Sequence, residues 1–289
     1  MKKRWIPWAF MAPALIILTV FMLIPLIASF VMSFGNVTVF LDTFSFAGIG
    51  NYFRAFSDQR VLNALKNTIV FTVVSVPLQM CFSLLLASLV SRDTRFFRAC
   101  RSFYFIPTLC SFTAIGILFI MLLDRTSGIL PYWLKQIGIR KPSMLAKPDS
   151  AMFWLILITL WRNFGTSMVI LVAGIQNIPK NLYEAAEIDG ANAVQRFFRI
   201  TIPQLTSSLG FCVITETIGC LQLFDQPYVI TKGGPFFGTE SIVQYIYTVA
   251  FKSFDLSYAS AIAVILFLII MVTVSLFQRQ ITRREAETY

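Results

Sequence analysis

The chain contains no histidine. That removes imidazole acid–base catalysis and the commonest ligand of zinc and haem. Charge is scarce too: 13% of residues are Asp, Glu, Lys or Arg, against about 25% in a soluble domain. No Gly-x-x-x-x-Gly-Lys-Ser/Thr occurs, the loop whose amides cradle nucleotide phosphates; Gly233-Gly234-Pro235 lacks the lysine. The five cysteines (Cys81, Cys100, Cys110, Cys212, Cys220) are odd in number and form no Cys-x-x-Cys. All lie inside or at the ends of apolar blocks, where they act as small hydrophobes, so neither a disulfide nor a metal site is expected. No cluster of nucleophile and base, or of paired carboxylates, lies within the blocks, so no catalytic residue is assigned.

What is present is apolar: 57% of the 289 residues, arriving in blocks. Each block approaches the ~20 residues that a bilayer-spanning helix needs. The expected spans are about 9–34, 68–90, 103–123, 152–174, 205–228 and 257–278 in a single all-α integral membrane domain, 1–289. The stretch from Trp5 to Leu41 carries no charge, too long for a signal-peptide core of about 7–15 residues, so the first helix is expected to be retained. Pro13 and Pro25 inside it predict local kinks.

The net charge of +10 reads as orientation signal rather than nucleic-acid binding. Lys2, Lys3 and Arg4 precede span 1; Arg92, Arg95, Arg98 and Arg101 crowd loop 91–102; Arg279, Arg283 and Arg284 follow span 6. Six spans put all three segments on one side, so both termini are expected in the cytoplasm. By parity loop 175–204 is cytoplasmic as well. Loop 124–151 dissents, with Arg125, Lys135, Arg140, Lys141 and Lys147 on the opposite side, but it is less densely basic.

Three spans carry polar stripes at helical spacing. Span 2 has Thr68, Thr72, Ser75, Gln79 and Ser83; span 4 has Thr159, Arg162, Asn163, Thr166 and Ser167; span 5 has Thr215, Gly219, Gln222 and Gln226, flanked by Glu216 and Asp225. Such faces turn inward, either as glue between helices or as the wall of a wet pathway. Arg162, Asn163, Glu216, Gln222 and Asp225 are the pathway candidates. At 1.5 Å per residue, Arg162 and Glu216 both come to roughly 15–18 Å from the outer surface, which predicts that they pair or bind solute together.

The most informative run is Glu184-Ala185-Ala186, then Asp189-Gly190-Ala191, then Ile200-Thr201-Ile202-Pro203. Pro179 suits a first helical turn, with Asn177 a plausible cap. Gly190 breaks the helix, residues 192–200 resume it, and Pro203 stops it. The spacing resembles the cytoplasmic "EAA" loop of permease subunits in bacterial ATP-binding-cassette importers: Glu-Ala-Ala, three residues, Gly, nine residues, Ile-x-Leu-Pro, with Ile202 in place of Leu. Asn51-Tyr52-Phe53, Asn67-Thr68, Phe224-Asp225, Thr231-Lys232-Gly233-Gly234-Pro235 and Tyr245-Ile246-Tyr247 resemble the carbohydrate-uptake branch, which also contains glycerol-phosphate importers.

That resemblance implies a type I importer permease fold in the bacterial inner membrane. It implies a second homologous permease, commonly forming a heterodimer, two ATPase subunits and an external solute-binding protein. ATP and Mg would be held by the ATPases, with no cofactor on this chain. Glu184, Ala185, Ala186, Asp189, Gly190, Ile200 and Pro203 would form the ATPase-coupling loop. The solute would be a sugar or oligosaccharide; a glycerol phosphate importer and a self-sufficient secondary transporter are the alternatives.

Overall fold

The computed structural model describes residues 6–37, 44–138 and 144–288. The basic residues expected at Lys2, Lys3, Arg4, Arg140 and Lys141 lie outside the described residues, as does the side chain of Arg284. Among the described residues, four helical stretches are long and apolar enough to cross a bilayer: Phe10–Ser33, Gln59–Val90, Pro148–Gln176 and Leu256–Arg283. Two bent pairs, Arg95–Leu109 with Phe112–Leu123 and Ala193–Gln204 with Thr206–Leu221, bring the number to six when each counts as one span.

The chain forms two compact units, residues 1–62 with 245–268 and residues 63–244 with 269–289. In the first, helices α1 (Ile6–Leu18) and α2 (Ile24–Ser33) flank a π-helical turn at Thr19–Leu23. Pro25 explains that turn. It has no N–H for the carbonyl four residues back and its ring crowds that carbonyl, so the ladder widens and the Ile24 amide reaches Thr19 instead. Next come strands β1 (Gly35–Val37) and β2 (Phe44–Phe46), paired antiparallel, and helix α3 (Gly50–Ser57). Asn51 fixes their order by donating from Nδ2 to the carbonyls of Ser33 (3.3 Å) and Gly35 (2.8 Å). Asp58 Oδ2 accepts from both Tyr245 (2.7 Å) and Tyr258 (2.8 Å), while Arg54 pairs with Asp255 at 2.7 Å. Burial alone would raise the Asp58 carboxyl, but the two tyrosine hydroxyls and the amides of Arg60 and Val61 hold it below its ordinary value.

The second unit holds the apolar core, built on Phe71, Leu155, Ile158, Met168, Leu171 and Cys212. Its helices are α4 (Gln59–Val90), α5 (Arg95–Leu109), α6 (Phe112–Leu123), α7 (Ile129–Gln136), α8 (Pro148–Gln176), α9 (Lys180–Ile188), α10 (Ala193–Arg196), α11 (Ile202–Gln204), α12 (Thr206–Leu221), α13 (Ile242–Tyr247) and α14 (Leu256–Thr288), some of whose ends reach the first unit. An added Cβ at Gly165 would meet the Tyr104 carbonyl at 2.7 Å, so α5 and α8 touch backbone to backbone there.

Several expected boundaries are corrected. Span 2 begins at Gln59, nine residues earlier than position 68. The expected loop 91–102 is largely the first turns of α5. The expected span 103–123 is not one rod: it turns by 89° between α5 and α6. Pro107 removes a ladder donor near the end of α5, and Cys110 and Ser111 follow with extended ψ of 144° and 131°. Span 5 ends at Leu221 rather than 228. Asn177 closes α8 rather than capping the next helix, whose N-cap is Pro179. Pro203 lies in the last turn of the helix that runs from Ala193 through α11 to Gln204; the chain breaks two residues later at Leu205, with a 69° bend.

Candidate functional site

Residues 177–204 form a lever fastened at both ends and exposed between them. Ile178 and Leu205 are buried, and an added Cβ at Gly174 would come within 2.6 Å of Leu205, which pins the base of the lever to α8. Between these anchors runs α9. It ends in a Gly190 turn with φ +77°, where the Gly190 amide donates to Glu187 (3.1 Å) and the Ala191 amide to Ala186 (2.9 Å). Nothing lies within 4 Å of a Cβ built at Gly190, so the glycine is needed for its left-handed backbone and not for space. Asn192 then caps α10: its Oδ1 accepts from the Gln195 amide at 2.8 Å, and its own amide donates to Gln195 Oε1 at 2.9 Å.

Two contacts fold the lever on itself. Tyr183 and Thr201 share a hydroxyl hydrogen bond at 2.9 Å, and Arg196 reaches Glu187 at 3.1 Å. Glu184, Ala185, Asp189 and Pro203 are exposed; Ala186 and Ile200 are half-buried. The lever presents bare apolar side chains, with Ile188 88%, Val194 64% and Phe198 61% exposed. Among the described residues Glu184 makes no hydrogen bond or ion pair.

The second feature is a cavity of about 230 Å³ between α4, α8, α12 and the segment after α12. Thr159 and Asn163 come from α8, Glu216 and Gly219 from α12, and Gln222, Asp225 and Gln226 from the segment beyond; Phe71 and Phe224 supply apolar wall. Helix α12 stops at Gln222, where ψ turns to 20°. Leu223 and Phe224 interrupt the helix, and Asp225 and Gln226 reach the cavity from the start of a new helical turn that continues as π-helix over Pro227–Thr231.

The loop after that turn is held from α4: Asn63 and Asn67 both donate to the Phe237 carbonyl at 2.9 Å, and Thr68 accepts the Ile242 amide at 2.9 Å. Within it, Lys232, Phe236 and Phe237 hold positive φ of 52°, 51° and 57°, a conformation that costs non-glycine residues of order 1–2 kcal/mol each.

Of the five pathway candidates, Asn163, Glu216, Gln222 and Asp225 line this cavity and Arg162 does not. The expected Arg162–Glu216 pair is absent. Glu216 accepts from Ser167 Oγ at 3.0 Å. Arg162 instead donates to Asn163 Oδ1 (2.8 Å) and to the Cys110 carbonyl (3.4 Å), and lies 5.6 Å over the Phe112 ring. The 89° bend explains the change of partner: breaking the helix at Cys110–Ser111 frees a carbonyl that a guanidinium can satisfy.

The span-2 stripe is fully inward. Thr68 and Ser83 have no exposed surface, and Ser83 donates to the Phe164 carbonyl at 3.0 Å, so at least part of it binds helix to helix. Ser75 Oγ, Gln79 Nε2 and Thr159 Oγ1 are buried without a hydrogen-bond partner; Gln79 nevertheless lies close enough to Glu216 to act on its carboxylate. The clamp on Arg196 and the Leu205 anchor carry no sequence signal, whereas the Asn192 cap has one, since Asn192-x-x-Gln195 is a capping-box pattern.

Residues 79–287 match the model of the family described as binding-protein-dependent transport system inner membrane component. A probable ABC transporter permease protein, YurN of Bacillus subtilis, is 34% identical over 285 residues, covering 96% of each chain. The lactose transport system permease protein LacF of Rhizobium radiobacter is 36% identical over 271 residues, covering 92% of this chain and 90% of its own. The multiple sugar-binding transport system permease protein MsmF of Streptococcus mutans is 30% identical over 286 residues, covering 98% and 97%. In fold, the chain is similar to one from the crystal structure of a bacterial alginate ABC transporter in complex with an alginate pentasaccharide-bound periplasmic protein, with a TM-score of 0.86, 21% identity, and 98% and 96% coverage.

Proposed function

The chain belongs to the family of binding-protein-dependent transport system inner membrane components, and on that premise we propose that it forms half of the translocation pathway of an ATP-driven sugar or oligosaccharide importer. It is a multi-pass inner-membrane transport subunit. A second, homologous permease completes the pathway as a heterodimer, an external binding protein delivers the solute, and two ATPase subunits bind the lever from the cytoplasm, the side on which both termini also lie. ATP and Mg belong to those ATPases; this chain binds no cofactor.

The observation that carries this reading is the lever's preorganised but uncovered surface. A helix of nine residues, Lys180–Ile188, is too short to persist alone in water. Here it is held by the Gly190 turn, the Glu187–Arg196 ion pair and the Tyr183–Thr201 bond. It displays Ile188, Val194 and Phe198 beside Glu184, a surface suited to a groove with apolar walls and a basic rim. Because Leu205 and Ile178 bolt the lever's base, a pull on α9 is transmitted to α8 and α12, which wall the cavity. ATP binding then biases the inward- and outward-facing states by gripping one arrangement more tightly than the other.

The cavity points to the kind of solute. It carries Glu216 and Asp225 and, among the described lining residues, no lysine or arginine. A glycerol phosphate would set an anion against two carboxylates, whereas a neutral sugar offers hydroxyls to Asn163, Gln222, Gln226 and the carboxylates. The test has two arms. Affinity purification of the complex should bring down an ATPase, and Glu184→Lys should lose it while membrane insertion is unchanged. Binding-protein-dependent uptake should then be competed by neutral oligosaccharides and not by glycerol phosphates. Uptake that persists without the ATPase sinks the importer reading.

A further inference from the structure

Helix α14 carries a feature that transport does not use. Among the described residues, Ser275, Gln278, Arg279, Thr282 and Arg283 line an open concavity of about 550 Å³. They follow the spacing i, i+3, i+4, i+7 and i+8, so they share one helix face. The opposite side of this helix end is occupied: an added Cβ at Gly210 would come within 2.7 Å of Ile281, which packs α14 against α12. The five concavity residues are all exposed, and neither arginine has an ion-pair or hydrogen-bond partner among the described residues.

The same side of the helix is apolar and bare from one turn nearer the middle of the span, at Met271 and Val272, down to Leu276 beside Ser275, all about half exposed. The candidate span runs through Arg283, so the basic concavity lies where the apolar part of the helix gives way to the bilayer interface.

We propose that this face binds one anionic phospholipid, its phosphodiester on Arg279 and Arg283 and its acyl chains along Met271, Val272 and Leu276. Guanidiniums suit the headgroup because their planar forks match phosphate oxygens, and the Ser275 and Thr282 hydroxyls add neutral donors. The choice of lipid over an acidic protein surface rests on continuity. The arginines sit directly below an uncovered apolar strip, and a lipid fills both halves at once, whereas an acidic protein patch leaves the strip against solvent or hydrocarbon. The assignment depends on the membrane location alone and not on the identity of the solute.

The test uses the whole importer in nanodiscs of phosphatidylethanolamine, with and without phosphatidylglycerol, and counts retained phosphatidylglycerol by native mass spectrometry. Each arginine near the surface contributes about fivefold in retention, so Arg279→Gln with Arg283→Gln should weaken retention by more than tenfold. Arg279→Lys with Arg283→Lys keeps the charge and should lose severalfold less. Equal retention in the wild type and the glutamine pair overturns the proposal. So does displacement of the lipid by millimolar inorganic phosphate, which lacks acyl chains. If the glutamine pair sheds the ATPase while keeping its lipid, the face is a protein contact and the lipid assignment fails. A glutamine pair that does not fold is replaced by Leu276→Asn in the strip, which should also lower retention; retention unchanged in that variant overturns the proposal.

Discussion

The lever at 177–204 and the cavity between α4, α8 and α12 both set carboxylates on an otherwise apolar chain, and they do so in opposite ways. The lever's acids are exposed: Glu184 has no partner among the described residues, and Glu187 has one, Arg196, on the lever itself. The cavity's Glu216 is held by Ser167, a buried residue of a different helix. The lever is stiffened by local backbone devices, a left-handed glycine and a capping box. The cavity is assembled from three stretches far apart in sequence: α4, α8, and α12 with the segment that follows it. A region built from local rules can be displaced as a piece and still keep its shape. A region built from distant pieces changes shape when any of them moves, which is what a gated pathway needs.

The strongest way to break this contrast is at Gly190. A β-branched side chain there must adopt a left-handed backbone at a cost of order 1–2 kcal/mol or more, so Gly190→Val should reduce ATPase copurification and uptake by roughly tenfold or more. Gly190→Asn, which tolerates that backbone, should retain most of both. If Val and Asn behave alike, the turn is not what shapes the lever.

In the cavity, Glu216→Ala removes the acceptor of the buried Ser167 hydroxyl. An orphaned buried donor costs about 1–3 kcal/mol, so the thermal midpoint of the detergent-solubilised complex should fall, and Glu216→Gln should restore most of it. A midpoint unmoved by Ala would mean that Ser167 is satisfied elsewhere.

Asp58 lies in neither region and separates partner effects from exposure. Its carboxyl is held below the ordinary 3.8 by hydroxyl and amide donors. A depressed native pKa stabilises the fold above that ordinary value, and the stabilisation is lost as pH falls through the native one. Asp58→Asn should therefore lower stability by about 1 kcal/mol at neutral pH, with the gap to wild type closing on acidification below pH 4. A gap independent of pH would show that charge plays no part.

The smallest effect belongs to the lever's own ion pair. Glu187 is 70% exposed and Arg196 26%, and such pairs give about 0–1 kcal/mol. Glu187→Gln should leave ATPase association within about twofold, and high salt should abolish even that difference.

Much of the lever was legible because its signals are local. The Glu184–Pro203 spacing placed the glycine turn at the right residue, and helix formers on either side predicted two helical arms. The span-2 stripe was legible for the same reason, since residues at helical spacing share a face wherever the helix goes. What was misread involved bends. Leu109-Cys110-Ser111-Phe112 is nearly as apolar as the spans, so composition concealed the 89° break. With the break hidden, the sequence shows no free carbonyl for Arg162, and depth alone sets it level with Glu216. The Asp58–Tyr245–Tyr258 cluster was invisible because Asp58 is 187 and 200 residues from its two tyrosines in the chain.

The sequence alone determined that this is a helical membrane subunit with a glycine-hinged lever between two spans, because hydrophobic length, helical spacing and left-handed backbone demand are properties of neighbouring residues. Tertiary structure decided which side chains meet. The bends at Cys110–Ser111 and at Leu205 redirect whole helices, and only after those turns does Arg162 find the Cys110 carbonyl, Glu216 find Ser167, and Asn163, Gln222 and Asp225 come to face one space.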